Sequence, residues 1–503
     1  MEQQILSFPV IFNFLLFLLV LLKVSKKLSK HDSNSPPGPW KLPFLGNFLQ
    51  LAGDLPHRRI TELAKKYGPV MSIKLGQHPY LVVSSPETAK EVMRTQDPIF
   101  ADRPLVLAGE LVLYNRNDIG FGLYGDQWRQ MRKFCALELL STKRIQSFRS
   151  VREEEIAVFV KSLRSKEGSS VNLSHTLFAL TNSIIARNTV GHKSKNQEAL
   201  LKIIDDIVES LGGLSTVDIF PSLKWLPSVK RERSRIWKLH CETDEILEGI
   251  LEEHKANRQA AAFKNDDGSQ ADNLLDVLLD LQQNGNLQVP LTDVNIKAVI
   301  LGMFGAGSDT SSKTTEWAMA ELMKNPEIMK NAQEELRSLF GESGNVDEAK
   351  LHEIKWLKLI INETLRLHPA VTLIPRLCRE KTKISGYDVY PNTRVFINTW
   401  AIGRDPIIWT EPEKFVPERF IDSSIDYRGN HFEYTPFGAG RRICPGMTFG
   451  MVNLEIFLAN LLYHFDWKLP KGITSENLDM TENFGGVIKR KQDLELIPVP
   501  FRP

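Results

Sequence analysis

The sequence predicts a mainly α-helical fold with a small β part, and three observations lead there. Apolar residues recur at three- and four-residue spacing through most of the chain. Strand-like alternation is confined to a few short stretches. No internal repeat, Gly/Ser-rich linker or shift in composition divides the chain. Taken in order, residues 70–84, with Val-Met-Ser-Ile-Lys-Leu and Tyr-Leu-Val-Val-Ser around Gly76, predict a β-hairpin. Helical spacing follows at 126–140, 143–163, 196–212, 228–258, 292–324, 326–340 and 356–367. Thr292 is the predicted N-cap of the long helix 293–324, and Pro326 stops it. Residues 259–272, including Lys264-Asn265-Asp266-Asp267-Gly268-Ser269, are polar and predict a solvated loop. Two strand-like stretches, Lys383–Val389 and Arg394–Thr399, are joined through Pro391-Asn392.

At 503 residues, 42% hydrophobic and 25% charged, the chain can bury a large core and is neither disordered nor fibrous. A formal net charge of +2 gives no reason to expect nucleic acid as a partner. Cys135, Cys241, Cys378 and Cys444 are scattered and form no CxxC pair, which argues against a disulfide framework and for a reducing compartment.

The N-terminus points to a membrane. From Ile5 to Leu22 run eighteen mostly apolar residues, followed by Lys23, Lys26, Lys27 and Lys30. That length is about the minimum for one bilayer span, and the flanking charge would leave the remainder on the cytoplasmic side. A cleaved signal peptide would carry its positive charge ahead of the apolar run, whereas here Glu2 precedes it. The competing reading is a buried core helix. Ser33-Asn34-Ser35-Pro36-Pro37-Gly38-Pro39-Trp40 can be neither helix nor central strand, because consecutive prolines fix φ and remove donors. The expected organisation is an anchor at 1–24, a basic and Pro-rich hinge at 25–40, and one catalytic domain at 41–503.

The richest chemistry lies in Phe437-Gly438-Ala439-Gly440-Arg441-Arg442-Ile443-Cys444-Pro445-Gly446. Its glycines let the backbone approach a flat ligand, and its one thiol has two cations nearby. No second Cys or His lies within fifteen positions except His431, so zinc, which takes four N/S ligands, fits poorly. A lone Cys suits haem iron, where the macrocycle supplies four donors and the thiolate favours O–O cleavage. The plain alternative is a buried Cys packed as a small hydrophobe.

The long helix holds Gly302, Gly305 and Gly307, each costing about 1 kcal/mol relative to Ala. Ser308, Asp309 and Thr310 follow directly. The expectation is a helix bowed at Ala306-Gly307 to leave a groove for dioxygen on the metal, with Thr310 holding the bound oxygen and Asp309 relaying protons. The alternative is close helix packing through the glycines. Glu363 and Arg366 share a helical face that His368-Pro369 ends, and Arg419 in Pro417-Glu418-Arg419-Phe420 could fork onto the same carboxylate as a structural network. Trp128 and Arg132 lie four apart and could reach the carboxylates of a large cofactor, as could Arg376 and Arg442. Any one of these bases is more often a solvated charge.

Together these residues resemble the cytochrome P-450 superfamily over the whole chain. The oxygen groove is present as Ala306-Gly307-Ser308-Asp309-Thr310, the ExxR pair as Glu363 and Arg366 with Arg419 as partner, the tryptophan-arginine helix as Trp128 and Arg132, and the haem loop as Phe437 to Gly446. The Pro36–Trp40 hinge and the segment Asp218 to Leu226 look like plant microsomal members, and the chain is similar to casbene-type diterpene oxidases. The resemblance implies haem b bound axially by Cys444, O2 as co-substrate, electrons from NADPH through NADPH-cytochrome P-450 reductase, and a single-pass location in the endoplasmic reticulum membrane. It also implies that Arg129, Lys133 and Arg441 form a basic face for the reductase. By family position, Leu107, Leu113, Val299, Met303, Ala306, Val371, Leu373, Phe484 and Val487 should line an apolar pocket for a small hydrophobic substrate. Gly122-Leu123-Tyr124-Gly125 and Pro369-Ala370-Val371-Thr372-Leu373-Ile374 depart from the pattern of close relatives, so regiochemistry does not carry over. The alternatives are a fatty-acid epoxygenase or hydroxylase, a reductase-independent haem-thiolate isomerase or dehydratase, and a haem-binding sensor or carrier.

Overall fold

In a computed structural model, the chain is described over residues 34–502 apart from 54, 194–196, 224, 264–272, 286 and 342–343. The expected anchor at 1–24 and the first part of the hinge lie outside the described residues. Among the described residues no helix is long and apolar enough to cross a membrane.

Twelve helices carry the argument. They are α1 (Pro56–Tyr67), α2 (Leu107–Leu111), α3 (Asp126–Phe134), α4 (Arg149–Arg164), α5 (Leu173–Val190), α6 (Gln197–Ser210), α7 (Pro227–Phe263), α8 (Leu274–Asn284), α9 (Asp293–Lys324), α10 (Pro326–Phe340), α11 (Lys355–Leu367) and α12 (Met447–His464). The strands are β1 (Val70–Leu75), β2 (His78–Val83), β3 (Val171–Asn172), β4 (Leu373–Leu377), β5 (Thr382–Ile384), β6 (Tyr387–Val389), β7 (Arg394–Asn398), β8 (Phe465–Lys468), β9 (Glu482–Asn483), β10 (Lys489–Arg490) and β11 (Glu495–Pro500).

Helix α9 is central, and its start is fixed by a capping box in which the Thr292 and Asn295 side chains each bond the other's backbone N–H. Helix α5 lies along it, while α6, α7, α11 and α12 pack on its other faces. Both α5 and α12 are buried on nearly every side. Neither therefore shows the apolar stripe that betrays a surface helix in sequence.

The main sheet has the order β1-β2-β7-β4. The predicted hairpin forms with Val70 opposite Val83, and β7 adds in parallel with Tyr80 opposite Arg394. Alternation divides the side chains between two cores, one holding Ile374, Val395 and Ile397, the other Tyr80, Leu373 and Phe396. The stretch 383–389 is not one strand but the small hairpin β5-β6, turned through Ser385 and Gly386, both with positive φ. Its predicted neighbour, 394–398, belongs to the main sheet.

Three helix expectations are corrected in detail. The segment 126–140 is α-helical only to Phe134 and then widens into a π-helical turn, Cys135–Leu139. The segment 143–163 divides at Phe148. Helix α7 runs on to Phe263, so 259–263 is helical where a loop was expected, in keeping with the helix preference of Ala260-Ala261-Ala262. The rest of that expected loop, 264–272, lies outside the described residues.

Candidate functional site: a cysteine loop under the central helix

Cys444 sits at the end of a tight turn in which its N–H donates to the Phe437 carbonyl at 2.9 Å. Gly440 makes the turn possible: it has φ +69°, and a Cβ there would stand 2.0 Å from the Met93 carbonyl oxygen. Helix α12 starts three residues after the thiol, so its N-terminal dipole favours a thiolate. Burial pushes the Cys444 thiol up, while the Gly446 N–H and Arg132 favour its ionised form. Arg132 also donates to the Ile443 carbonyl at 2.5 Å, which brings α3 against the loop.

Around this loop gather guanidinium groups with little to neutralise them. Arg442 donates to the carbonyls of Ala101, Ile119 and Gly122, and Arg376 to those of Pro375 and Ala439. Arg103 donates to the carbonyls of Gly120 and Pro375. Asp118 and Asp97 lie near enough to favour these cations, but each accepts through one oxygen from main-chain N–H groups, of Gly120 and Phe121 and of Arg441, and among the described residues neither forms an ion pair with Arg103, Arg376 or Arg442. Burial, with Arg442 adding repulsion, lowers Arg376 to about 9, and burial lowers Arg442 to about 10. The Arg376 Nε is buried with no partner. Buried cations of this kind fit a cofactor that brings its own carboxylates, as haem b does.

Trp128 has a single polar donor, and it is taken by the Ile119 carbonyl at 3.0 Å. Its indole also stacks on the Arg442 guanidinium, 4.1 Å from the ring centroid, so Trp128 braces a cation at the cysteine loop. Arg103 was not foreseen. Its only signal in sequence was a cation ahead of Pro104, which is common in loops.

Opposite these elements in the chain's logic stands α9. It remains helical through Ala306–Thr310, with the Thr310 hydroxyl donating to the Ala306 carbonyl at 2.7 Å, a back-bond of the kind that bends a helix. Absent side chains add room beside it. A Cβ on Gly302 would meet nothing within 4 Å, one on Gly305 only Val208 at 3.8 Å, and Ala306 is exposed. Gly307 behaves differently: a Cβ there would lie 2.6 Å from Ile185 Cδ1 on α5. The packing explanation therefore fits Gly307, where the backbone of α9 comes close to α5. Asp309 is 2% exposed, and its Oδ1 is buried without a partner. Burial pushes its carboxyl up to about 6, opposed by Lys313 and Lys489 and reinforced by Asp205 and Glu316.

The carboxylate network forms as expected. Glu363 takes two parallel bonds from Arg366, at 2.7 and 2.8 Å, and one from Arg419 at 3.0 Å, and its Oε1 also accepts from the Val416 N–H. Arg366 continues to the carbonyls of Gly403 and Pro412. The segment leading into the cysteine loop is tied to the same helix, because Tyr434 Oη donates to the Asn362 carbonyl at 2.9 Å.

Residues 36–497 match the family described as Cytochrome P450. The chain belongs to the cytochrome P450 family. Its relatives include "Cytochrome P450 726A27" of Euphorbia lathyris, 63% identical over 100% of this chain and 99% of that one. "Desmethyl-deoxy-podophyllotoxin synthase" of Sinopodophyllum hexandrum is 49% identical, over 99% of this chain and 97% of the other. "Premnaspirodiene oxygenase" of Hyoscyamus muticus is 48% identical, over 100% and 99%. A zebra fish cytochrome P450 structure with abiraterone superposes with a TM-score of 0.75 at 25% identity, covering 90% of this chain and 100% of that one. The protein is a plant cytochrome P450 monooxygenase, a haem-thiolate oxidoreductase that uses O2 and electrons derived from NADPH.

In this P450 the expected substrate-lining residues divide. Met303, Ala306, Val371 and Phe484 keep accessible surface. Leu107, Leu113, Val299, Leu373 and Val487 are buried as core. Strand alternation places Leu373 in the core with Tyr80 and Phe396, whereas Ile374 on the other face reaches toward Gly438, 3.6 Å from where its Cβ would be. Phe484 stacks on His57, at 5.8 Å between ring centroids, and a hydrogen bond of Glu482 with His57 and an ion pair with Arg58 hold its strand.

Proposed function

We propose that this P450 hydroxylates or further oxidises a hydrophobic terpenoid, with a diterpene of the casbene type as the substrate class. The carrying observation is the open face of α9. Gly302, Met303, Gly305 and Ala306 leave the space beside the helix apolar, and the one hydroxyl on that face, that of Thr310, already donates to a carbonyl. A substrate charge placed there would lack a partner and cost several kcal/mol, whereas a hydrocarbon loses nothing. A relative named for oxygenating premnaspirodiene is in keeping with this.

Held through the Cys444 sulfur, haem b supplies the reductive activation of O2 and the transfer of one oxygen atom, the other leaving as water. The chain's own groups do the rest. Arg103, Arg376, Arg442 and Arg132 would hold the cofactor's carboxylates. The Gly446 N–H and Arg132 favour the ionised sulfur against the burial that pushes the Cys444 thiol up. Thr310 Oγ1, held by the Ala306 carbonyl, presents its oxygen as acceptor and can pass a proton by rotating. Asp309, buried and poised near 6, supplies that proton from the side of Asp205 and Lys489. Exposed Arg129, Lys133 and Arg441 give an acidic reductase domain a basic face. The apolar run Ile5–Leu22 and its four following lysines support a single-pass anchor in the endoplasmic reticulum, with the catalytic part beside the reductase in the cytosol.

The test is a product assay. Microsomes holding this chain and NADPH-cytochrome P-450 reductase are given casbene, other diterpene and sesquiterpene hydrocarbons, and free fatty acids. NADPH-dependent oxidation of a terpenoid supports the reading; oxidation of fatty acids alone overturns it. Product from a fatty-acid hydroperoxide without NADPH would instead establish an isomerase or dehydratase, against which the intact Asp309-Thr310 pair argues.

A further inference from the structure

The segment Asp218-Ile219-Phe220-Pro221-Ser222 plays no part in the chemistry above, yet its acid is 5% exposed and fully engaged. Asp218 Oδ1 accepts from the N–H of Leu107 at 2.6 Å, and Oδ2 accepts from the Ser215 hydroxyl at 2.8 Å. Leu107 is the first residue of α2, a helix of five residues, too short to hold itself together. The residue in the capping position, Val106, has the extended backbone of an N-cap but no side chain able to bond the helix N–H groups. The missing cap comes from a carboxylate 111 positions away in the chain.

Two further contacts make this a junction. Arg394 on β7 donates to the Asp218 carbonyl at 3.4 Å, to the Leu105 carbonyl at 3.1 Å and to Tyr80 Oη at 2.9 Å. Both partners of the carboxylate contact are thus held by one guanidinium from the sheet. The connector between α6 and α7 is itself seated on the hairpin: the Gln77 N–H donates to the Ile219 carbonyl at 3.1 Å, and a Cβ on Gly76 would lie 2.4 Å from that oxygen. Gly213, at φ +71°, brings the connector so close that a Cβ would stand 3.0 Å from Val106 Cγ1.

We propose that Asp218 is a positioning residue for substrate enclosure: it clasps the start of α2 to the α6–α7 connector and so fixes the 105–113 segment over the apolar space beside α9. This rests on the reading that the segment borders that space, and Tyr114 directly after it does meet Lys297 of α9, 5.3 Å from the ring centroid. Without the carboxylate, the α2 N–H groups lose their cap, the 105–113 segment as a whole loses its fixed placement, and a bulky apolar molecule is held less tightly. Among the described residues no hydrogen bond joins Asp218, Leu107 or the Arg394 side chain to α12 or the cysteine loop, so a ligand that needs only the metal is expected to bind as before.

The test uses the haem-loaded full chain and two variants, Asp218→Ala and Asp218→Asn, the second retaining one acceptor oxygen should the first fail to fold. Hydrogen exchange is followed in peptides covering 105–113, α9 and α12. Binding of imidazole and of clotrimazole, a bulky apolar imidazole, is followed by the Soret shift. Expected are exchange about tenfold faster in 105–113 alone, clotrimazole binding weakened about tenfold, and imidazole binding unchanged within about twofold, with Asp218→Asn moving the same way by less. Unchanged exchange in 105–113 of a folded variant, or an equal rise in all three regions, overturns the clasp. Faster exchange with clotrimazole binding unaltered leaves the clasp standing and overturns the placement of this segment at the substrate space, and the proposed role with it. Equal weakening of both imidazoles overturns the role, because the loss would then lie at the metal.

Discussion

The cysteine side and the substrate side of this P450 are built on different physical terms. Around Cys444, position is set by charge and by main-chain bonds. Glu363 binds two guanidiniums at 0% exposure, Arg442 holds three carbonyls, and Gly440 is forced by a 2.0 Å approach to Met93. Beside Gly302 and Ala306, position is set by apolar packing with few polar anchors, of which Asp218 and the His57–Glu482 pair are the clearest. Directional bonds to buried charges tolerate almost no substitution, whereas apolar packing tolerates many changes of shape. One side can therefore stay constant for the chemistry while the other is reshaped for the substrate.

The strongest way to break this contrast is at the metal side. Cys444→Ser is expected to abolish NADPH-dependent turnover and the carbon-monoxide difference band of thiolate ligation. If that band survives, the assignment of the sulfur fails. Next comes Glu363→Gln. The neutral amide leaves Arg366 and Arg419 buried with no counter-charge, a loss of about 3–5 kcal/mol. It should show as little or no haem-loaded protein at 37 °C, with partial recovery on expression at low temperature. A variant that loads haem normally and melts with the wild type would mean that the network does not hold the cysteine loop.

The same contrast explains what could be read without a structure. The cysteine loop, the ExxR pair with Arg419, and Asp309-Thr310 stood out because glycines, buried cations and acids are costly where they are not needed, and their spacing is fixed by the bonds they make. Trp128 was found, but sequence shows an indole and a cation four apart and not that the Ile119 carbonyl accepts from the indole N–H. Leu107, Leu113, Val299, Leu373 and Val487 could not be told from core, because a residue lining an apolar chamber and one filling a core have the same composition. Helices α5 and α12 escaped for a related reason: with apolar residues on every face, no period remains to be seen. Strand β4 was missed because Leu-Ile-Pro-Arg-Leu carries a proline, which is tolerated at the edge of the sheet.

Asp309 sharpens the comparison by pH, since it belongs to the chemistry but lies in a buried, weakly bonded place. Its carboxyl sits near 6 in the folded chain, above its ordinary value, through burial set against Lys313 and Lys489 and reinforced by Asp205 and Glu316. The folded chain therefore holds that proton more tightly than the unfolded one. Its contribution to stability is whole below about pH 4 and falls away as pH rises through about 6, by up to ~3 kcal/mol. Asp309→Asn lacks this loss. The variant should match the wild type in thermal denaturation near pH 4 and exceed it increasingly toward pH 8, while its coupling of NADPH to product falls. A stability difference independent of pH would mean that the carboxyl is not held in the way the buried Oδ1 indicates.

The smallest effect separates the two sides within one helix. Gly302 and Gly307 lie five residues apart on α9, and both look like the same expense in helix propensity. Gly302 faces open apolar space, so Gly302→Ala should stabilise the helix by about 1 kcal/mol at no steric cost. Gly307 meets Ile185, so Gly307→Ala gains the same propensity but must move the Ile185 Cδ1 methyl, an overpacking cost of about 1–3 kcal/mol. The net is a small loss, and Ile185→Val in the same chain should restore it by removing the methyl that is met. Denaturation midpoints of the haem-loaded variants decide the matter. Should Gly307→Ala be the more stable of the two, or Ile185→Val fail to relieve it, then Gly307 does not set the crossing of α9 on α5, and its missing side chain would belong to the groove after all.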